Sequence, residues 1–122
     1  MKVFVTGVAG QLGHDVVGEL CRRGHTAIGS DLAPQYSGIA DGSPVTTCPY
    51  VSLDITDKAA VSKALTVLAP DAVIHCAAWT AVDLAEDADK QGKVRAINAG
   101  GTRNIAEVCE VLDCKMLYIS TD

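Results

Sequence analysis

The sequence has 122 residues, 48% of them apolar and 20% charged, with a formal net charge of −5 at pH 7. That is one domain's worth of chain, enough for one core and too little for two. The acidic balance, the lack of a basic run and the lack of any membrane-length apolar stretch argue against nucleic acid or a membrane as partner.

The first thirteen residues organise the rest. Val3, Phe4 and Val5 form a short apolar run that predicts a buried strand, and the run breaks at Thr6, Gly7 and Gly10 too early for a secretory leader. The chain therefore reads as cytoplasmic. Gly7, Gly10 and Gly13 make a G-x-x-G-x-x-G between this strand and an amphipathic helix. Gly7 suits the tight exit from the strand, Gly10 a close approach of backbone to a pyrophosphate, and Gly13 close packing of the helix on the sheet. The helix start aims free N–H groups at an anion. A glycine turn of no further function is the plainer alternative.

Leu12, Val16, Val17 and Leu20 recur at helical spacing until Gly24, a natural helix end. Thr26 to Ser30 reads as the second strand, with Asp31 at its end. Residues 32–49 hold Pro34, Gly38, Gly42, Pro44 and Pro49 without helical periodicity, which suits a lid-like loop or a tolerated surface insertion. Tyr50 to Leu53 is a third strand, followed by Asp54 and Ile55. Thr56 or Asp57 can cap the next helix, whose apolar stripe is Val61, Ala64, Leu65 and Leu68 and which Pro70 stops. Ala72 to Ala78 is apolar on both faces, as expected at the centre of a parallel sheet. After a polar stretch, 83–89, a long helix carries Val94, Ile97, Gly101, Ile105, Val108 and Leu112 on one face, with Gly100 and Gly101 where it passes close to the sheet or a ligand. Lys115 to Ser120 is a fifth strand.

Strands alternating with helices imply a parallel sheet with right-handed crossovers. The expected fold is α/β, a Rossmann-type parallel sheet of order 3-2-1-4-5 over residues 1–122, ending after the fifth strand. In that order the first helix lies on one face and the two later helices on the other. The first face should then expose alternate side chains of 72–76 and 116–119, so self-association (a homo-oligomer) or strong binding of a hydrophobic dye is expected.

Asp31 lies 18 residues after Gly13. A carboxylate there can accept both ribose hydroxyls of an adenosine and would repel a 2′-phosphate, which favours NAD over NADP. Asp54 and Ile55 occupy the matching end of the third strand, where the adenine edge would lie. Cys76, Ala77 and Ala78 are small enough for a flat ligand to reach the backbone. Asn98 either contacts the ligand edge or bonds locally. His75, inside an apolar strand, reads as structural, and His14 and His25 as exposed. The five cysteines, odd in number and without a C-x-x-C, read as buried hydrophobes in a reducing compartment, so no metal site is expected.

Val5 to Gly13, Asp31, Asp54-Ile55, Pro70 to Ala78, Asn98, Gly101-Thr102 and Tyr118 to Asp122 together resemble the extended short-chain dehydrogenase/reductase superfamily. Within it, Ala77 to Glu86 and the closing Ser-Thr-Asp are most similar to the dTDP-4-dehydrorhamnose reductase sub-family, while Val73-Ile-His75 and the long loop are similar to sugar-nucleotide epimerases. The resemblance implies NAD (or NADP) held by Gly7, Gly10, Gln11, Leu12, Gly13, Asp31, Asp54, Ile55, Ala77, Ala78, Trp79 and Thr80. It also implies catalytic assistance by Thr121, and a nucleotide-sugar substrate for the full-length protein. The superfamily's Tyr-x-x-x-Lys proton donor lies beyond the fifth strand. It is not among these residues, since Tyr36, Tyr50 and Tyr118 are followed at that offset by Ala40, Asp54 and Asp122. The expectation is the cofactor-binding N-terminal part of a keto-sugar reductase, without the C-terminal substrate-binding part. The alternatives are an NAD-dependent sugar-nucleotide epimerase or dehydratase, and a non-catalytic NAD(P)-binding regulatory subunit such as the β subunit of methionine adenosyltransferase, which resembles the same reductases.

Overall fold

The computed structural model describes residues 1–8, 10–32, 49–76 and 88–119, with only the backbone course given at Gln11 and over 88–98. Five strands, β1 (Lys2–Thr6), β2 (Thr26–Asp31), β3 (Tyr50–Ser52), β4 (Ala72–His75) and β5 (Lys115–Tyr118), form one sheet. Its order is β3-β2-β1-β4-β5 and every pairing is parallel, as the alternation of strands and helices implied. Three helices connect them: α1 (Gln11–Arg22), α2 (Lys58–Leu68) and α3 (Ala88–Leu112).

The alternation of side chains along β1 divides the core. Val3 and Val5 point to the face covered by α1, where they pack with Val8, Val17, Ala27 and Cys76. Phe4 points the other way, into a cluster with Ile28, Leu53, Val61, Leu65, Val73, Ile105, Val108 and Cys109, roofed by α2 and α3. The same two-residue period puts Ile74 on the first face and Val73 on the second. The helices thus take the faces that right-handed crossovers demand.

Helix ends follow local chemistry. Asp57, the second of the two caps expected, accepts the Ala60 N–H on Oδ1 at 3.2 Å and starts α2. Ala69 ends α2 in the left-handed conformation (φ 46°), and Pro70 keeps the chain from continuing. Lys2 Nζ donates to the Leu68 carbonyl at 2.8 Å, so the first strand also caps the second helix. Gly24, with φ 81°, turns the chain out of α1 into β2.

Several expectations need correction. Leu12 is 37% exposed and lies outside both core clusters. His14 and His25 are half-buried instead of exposed. Strand β3 stops at Ser52, and α3 begins at Ala88, before the end of the polar stretch. Among the described residues Gly101 of the glycine pair has a close neighbour, Ile55, and none lies within 4 Å of a side chain at Gly100. On the α1 face Leu117 is 57% exposed, as expected, but Ile74 and Ile119 pack partly against the cluster. Residues 33–48, which hold most of the expected loop, lie outside the described residues, and so does the polar stretch up to residue 87.

Candidate functional site

The strand order reverses between β1 and β4, so the carboxyl ends of β1, β2, β3 and β4 meet the N-terminus of α1 around a switch point. Open α/β sheets bind ligands there, since the flanking loops part to opposite faces and leave a crevice.

The glycine turn sits at the centre. Gly7 has φ 76°, a conformation that any other L residue would resist. Its N–H and that of Val8 both donate to the Ser30 carbonyl, at 2.8 and 3.2 Å, which locks the turn to the end of β2. A Cβ on Gly13 would lie 2.2 Å from the Gly7 carbonyl oxygen and 2.9 Å from Val8 Cα. The neighbour that excludes a side chain at Gly13 is therefore the turn itself and not the sheet behind it. Gly10 has φ −90° and caps α1 without a side-chain hydrogen bond, and no acidic residue occupies the first helical turn. Among the described residues no side chain caps the first amides of α1, whose positive dipole end suits an anion.

Asp31 stands at the end of β2 beside this turn. Its Oδ1 accepts the Leu32 N–H at 2.7 Å and its carbonyl accepts the Leu53 N–H at 2.9 Å, which ties it to β3. Burial, and next the Asp31 carboxylate, hold the Tyr50 phenol above its ordinary range, so Tyr50 is a neighbour of Asp31 that its place in a strand did not reveal. Beyond β3, Asp54 Oδ1 accepts both the N–H (3.0 Å) and the hydroxyl (2.6 Å) of Thr56. Asn104 of α3 donates Nδ2–H to the Ile55 carbonyl at 2.9 Å. Residue type and spacing do not single out Asn104. The available signal was a polar residue on the same helical face as Gly101, Ile105 and Val108.

His75, at the end of β4, is fully buried. The Cys76 N–H donates to Thr6 Oγ1 at 3.0 Å, and the same oxygen shares a hydrogen bond with His75 Nδ1 at 2.7 Å. Nε2 shares a hydrogen bond with Thr102 Oγ1 at 3.0 Å, so both ring nitrogens have partners. Burial lowers the His75 pKa to about 4, and its ring stacks on Tyr118 with centroids 5.2 Å apart. Held neutral with both nitrogens engaged, it is structural, as its apolar strand suggested. Burial also pushes the Cys76 thiol up to about 11, away from nucleophilic use.

Gly7, Gly10, Gly13, Asp31, Asp54 and Ile55 are thus brought to one edge, with Leu12 exposed beside them. Ala77, Ala78, Trp79, Thr80 and Thr121, and the side chains of Gln11 and Asn98, lie outside the described residues. Among the described residues no helix is long and apolar enough to cross a membrane, and no group of His, Cys, Asp and Glu could hold a metal ion.

A dTDP-4-dehydrorhamnose reductase from Streptomyces griseus is 36% identical over 119 residues, covering 98% of this chain and 33% of that protein. A UDP-glucose 4-epimerase from Thermus thermophilus, solved as a complex with NAD, superposes with a TM-score of 0.79 at 28% identity, covering 96% of this chain and 36% of that one. The same fold recurs in the epimerase of Thermotoga maritima, with a TM-score of 0.82 at 24% identity over 99% of this chain and 38% of that one. The chain spans about a third of the length of the curated relatives it matches. The family described as RmlD substrate binding domain matches residues 1–122, the whole of the sequence, and the chain belongs to that family.

Proposed function

We propose that residues 1–122 are the NAD(P)-binding part of a cytoplasmic oxidoreductase that reduces a keto group on a nucleotide-linked sugar. The observation that carries this reading is the uncapped start of α1 behind a turn with no room for a side chain at Gly13, set beside Asp31 at the switch point. These residues fit a dinucleotide. The amides of Gln11, Leu12 and Gly13 would take the pyrophosphate, Asp31 a ribose, and Asp54 with Ile55 the base. When bound, the nicotinamide supplies or accepts a hydride; the residues of this chain bind it and set its orientation. Ala77 to Thr80 and Asn98 would line the nicotinamide side, and Thr121 would hydrogen-bond the reacting sugar oxygen. The reductase names of the relatives favour reduction. Epimerisation is the second reading, favoured by the likeness to the NAD-bound epimerase, and product analysis with a nucleotide-linked keto-sugar would separate the two.

Calorimetric titration with NADH and NADPH tests the cofactor site. A like charge facing the 2′-phosphate costs on the order of 1 kcal/mol or more, so NADH should bind about tenfold tighter or better. Asp31→Ala should narrow that ratio. Equal affinities in the unmodified protein would sink the role given to Asp31.

A further inference from the structure

We infer that Asn104, with Gly101, is a positioning residue that makes the site selective for adenine over other bases, an inference that rests on the dinucleotide reading above. Along the carboxyl edge the pyrophosphate turn follows β1, the ribose carboxylate ends β2, and the next position outward, the turn after β3, meets the base. That turn carries Asp54, whose carboxylate is exposed and oriented. Oδ1 is taken by the backbone and hydroxyl of Thr56, and Oδ2 is the oxygen that would accept from a base.

Asp54 and Thr56 are exposed, while Ile55 packs against the core beneath α3. Asn104 donates to the Ile55 carbonyl at 2.9 Å from a helix 49 residues further along the chain. One helical turn earlier, Gly101 lets the Ile55 side chain rest on the helix backbone; a Cβ there would lie 2.4 Å from Ile55 Cδ1 and 2.6 Å from Cγ1. The Asp57 N–H closes the turn on the Asp54 carbonyl at 3.0 Å. Ile55 is thus held by its carbonyl and its side chain, and the preceding Asp54 by its carbonyl.

The chemical consequence follows from the acceptor that this clamp presents. Adenine carries an amino donor at its six position, which a fixed carboxylate oxygen accepts. Hypoxanthine carries an acceptor oxygen there and would meet the carboxylate with like polarity. Discrimination between the two depends on Asp54 staying in place, and therefore on Asn104.

Binding of NAD and of nicotinamide hypoxanthine dinucleotide to the unmodified protein, Asn104→Ala and Gly101→Ala tests this. A hydrogen bond to a charged acceptor predicts roughly tenfold preference for NAD in the unmodified protein. Asn104→Ala should weaken NAD alone and bring the two affinities within about twofold. Gly101→Ala, which adds helix propensity while displacing Ile55, should act in the same direction and reads the clamp even if Asn104→Ala folds poorly. Loss of both affinities by one factor, with the ratio kept, would show a structural role only and overturn the inference. Failure of the unmodified protein to bind either dinucleotide would instead overturn the dinucleotide reading, and this inference with it.

Discussion

The two faces of the sheet are built to different standards. Against α2 and α3 the core runs without a break from Ile28 and Leu53 through Phe4 and Val73 to Ile105, and the helices are joined by a Lys58–Glu107 ion pair. Against α1 the buried cluster stops at Cys76, with Ile74 and Ile119 only partly packed and Leu117 open. The reason is geometric: a single helix covers about two strands, and α1 lies over β1 and β2. The well-covered face supplies stability, and the other supplies the glycine turn, where backbone approach matters more than side-chain burial. The buried Thr6 and His75 and the half-buried Thr102 follow the same division. Thr6, His75 and Thr102 bond to one another on the α2/α3 side and join the site edge to α3.

The largest expected effect tests the asymmetry directly. Leu65→Ala, on the well-covered face, should cost about 2–5 kcal/mol of unfolding free energy, whereas Leu117→Ala should stay within about 0.5 kcal/mol. Denaturant titration of both variants gives the comparison, and equal costs would mean that the faces do not differ. Gly13→Ala comes next, at about 1–3 kcal/mol, because the new methyl meets backbone atoms that no rotamer change can move. Its loss of dinucleotide binding should exceed its loss of stability; an unaltered affinity would remove the turn from the site.

His75 sharpens the comparison through pH. Its folded-state pKa of about 4 lies below the ordinary 6.5, so the unfolded chain takes up the proton first. Its contribution is complete above about pH 6.5 and is lost as pH falls towards 4, by at most about 1.4 kcal/mol per pH unit. Urea midpoints between pH 7 and 4 should fall more steeply for the unmodified protein than for His75→Asn, and parallel slopes would contradict the buried neutral ring. The smallest effect sits beside it. Ser30 pairs in register with Thr6 and is as deeply buried, yet its hydroxyl has no partner among the described residues. Ser30→Ala should therefore change stability by no more than about 0.5 kcal/mol or raise it, while Thr6→Val, which orphans the Cys76 N–H and His75 Nδ1, should cost about 1–3 kcal/mol.

The sequence by itself determined the elements and the wrap of the sheet. Alternation of apolar residues, the Asp57 cap, the left-handed glycine after α1 and Pro70 act over a few residues, and crossover handedness then leaves few topologies open. The glycine turn and Asp31 were legible for the same reason, since a strand, a turn and a helix in succession bring them together with no help from distant chain. Tertiary structure alone decided the partners. Asn104 reaches Ile55 across 49 residues, and Thr6 reaches His75 across 69. Neither pair has a local signature, because a polar side chain on an apolar stripe looks the same whether it holds a neighbouring turn or only itself. The half-burial of His14 and His25 and the exposure of Leu12 belong to the same class. Where a helix lies on the sheet is set by packing across it, to which residue spacing along one helix is blind.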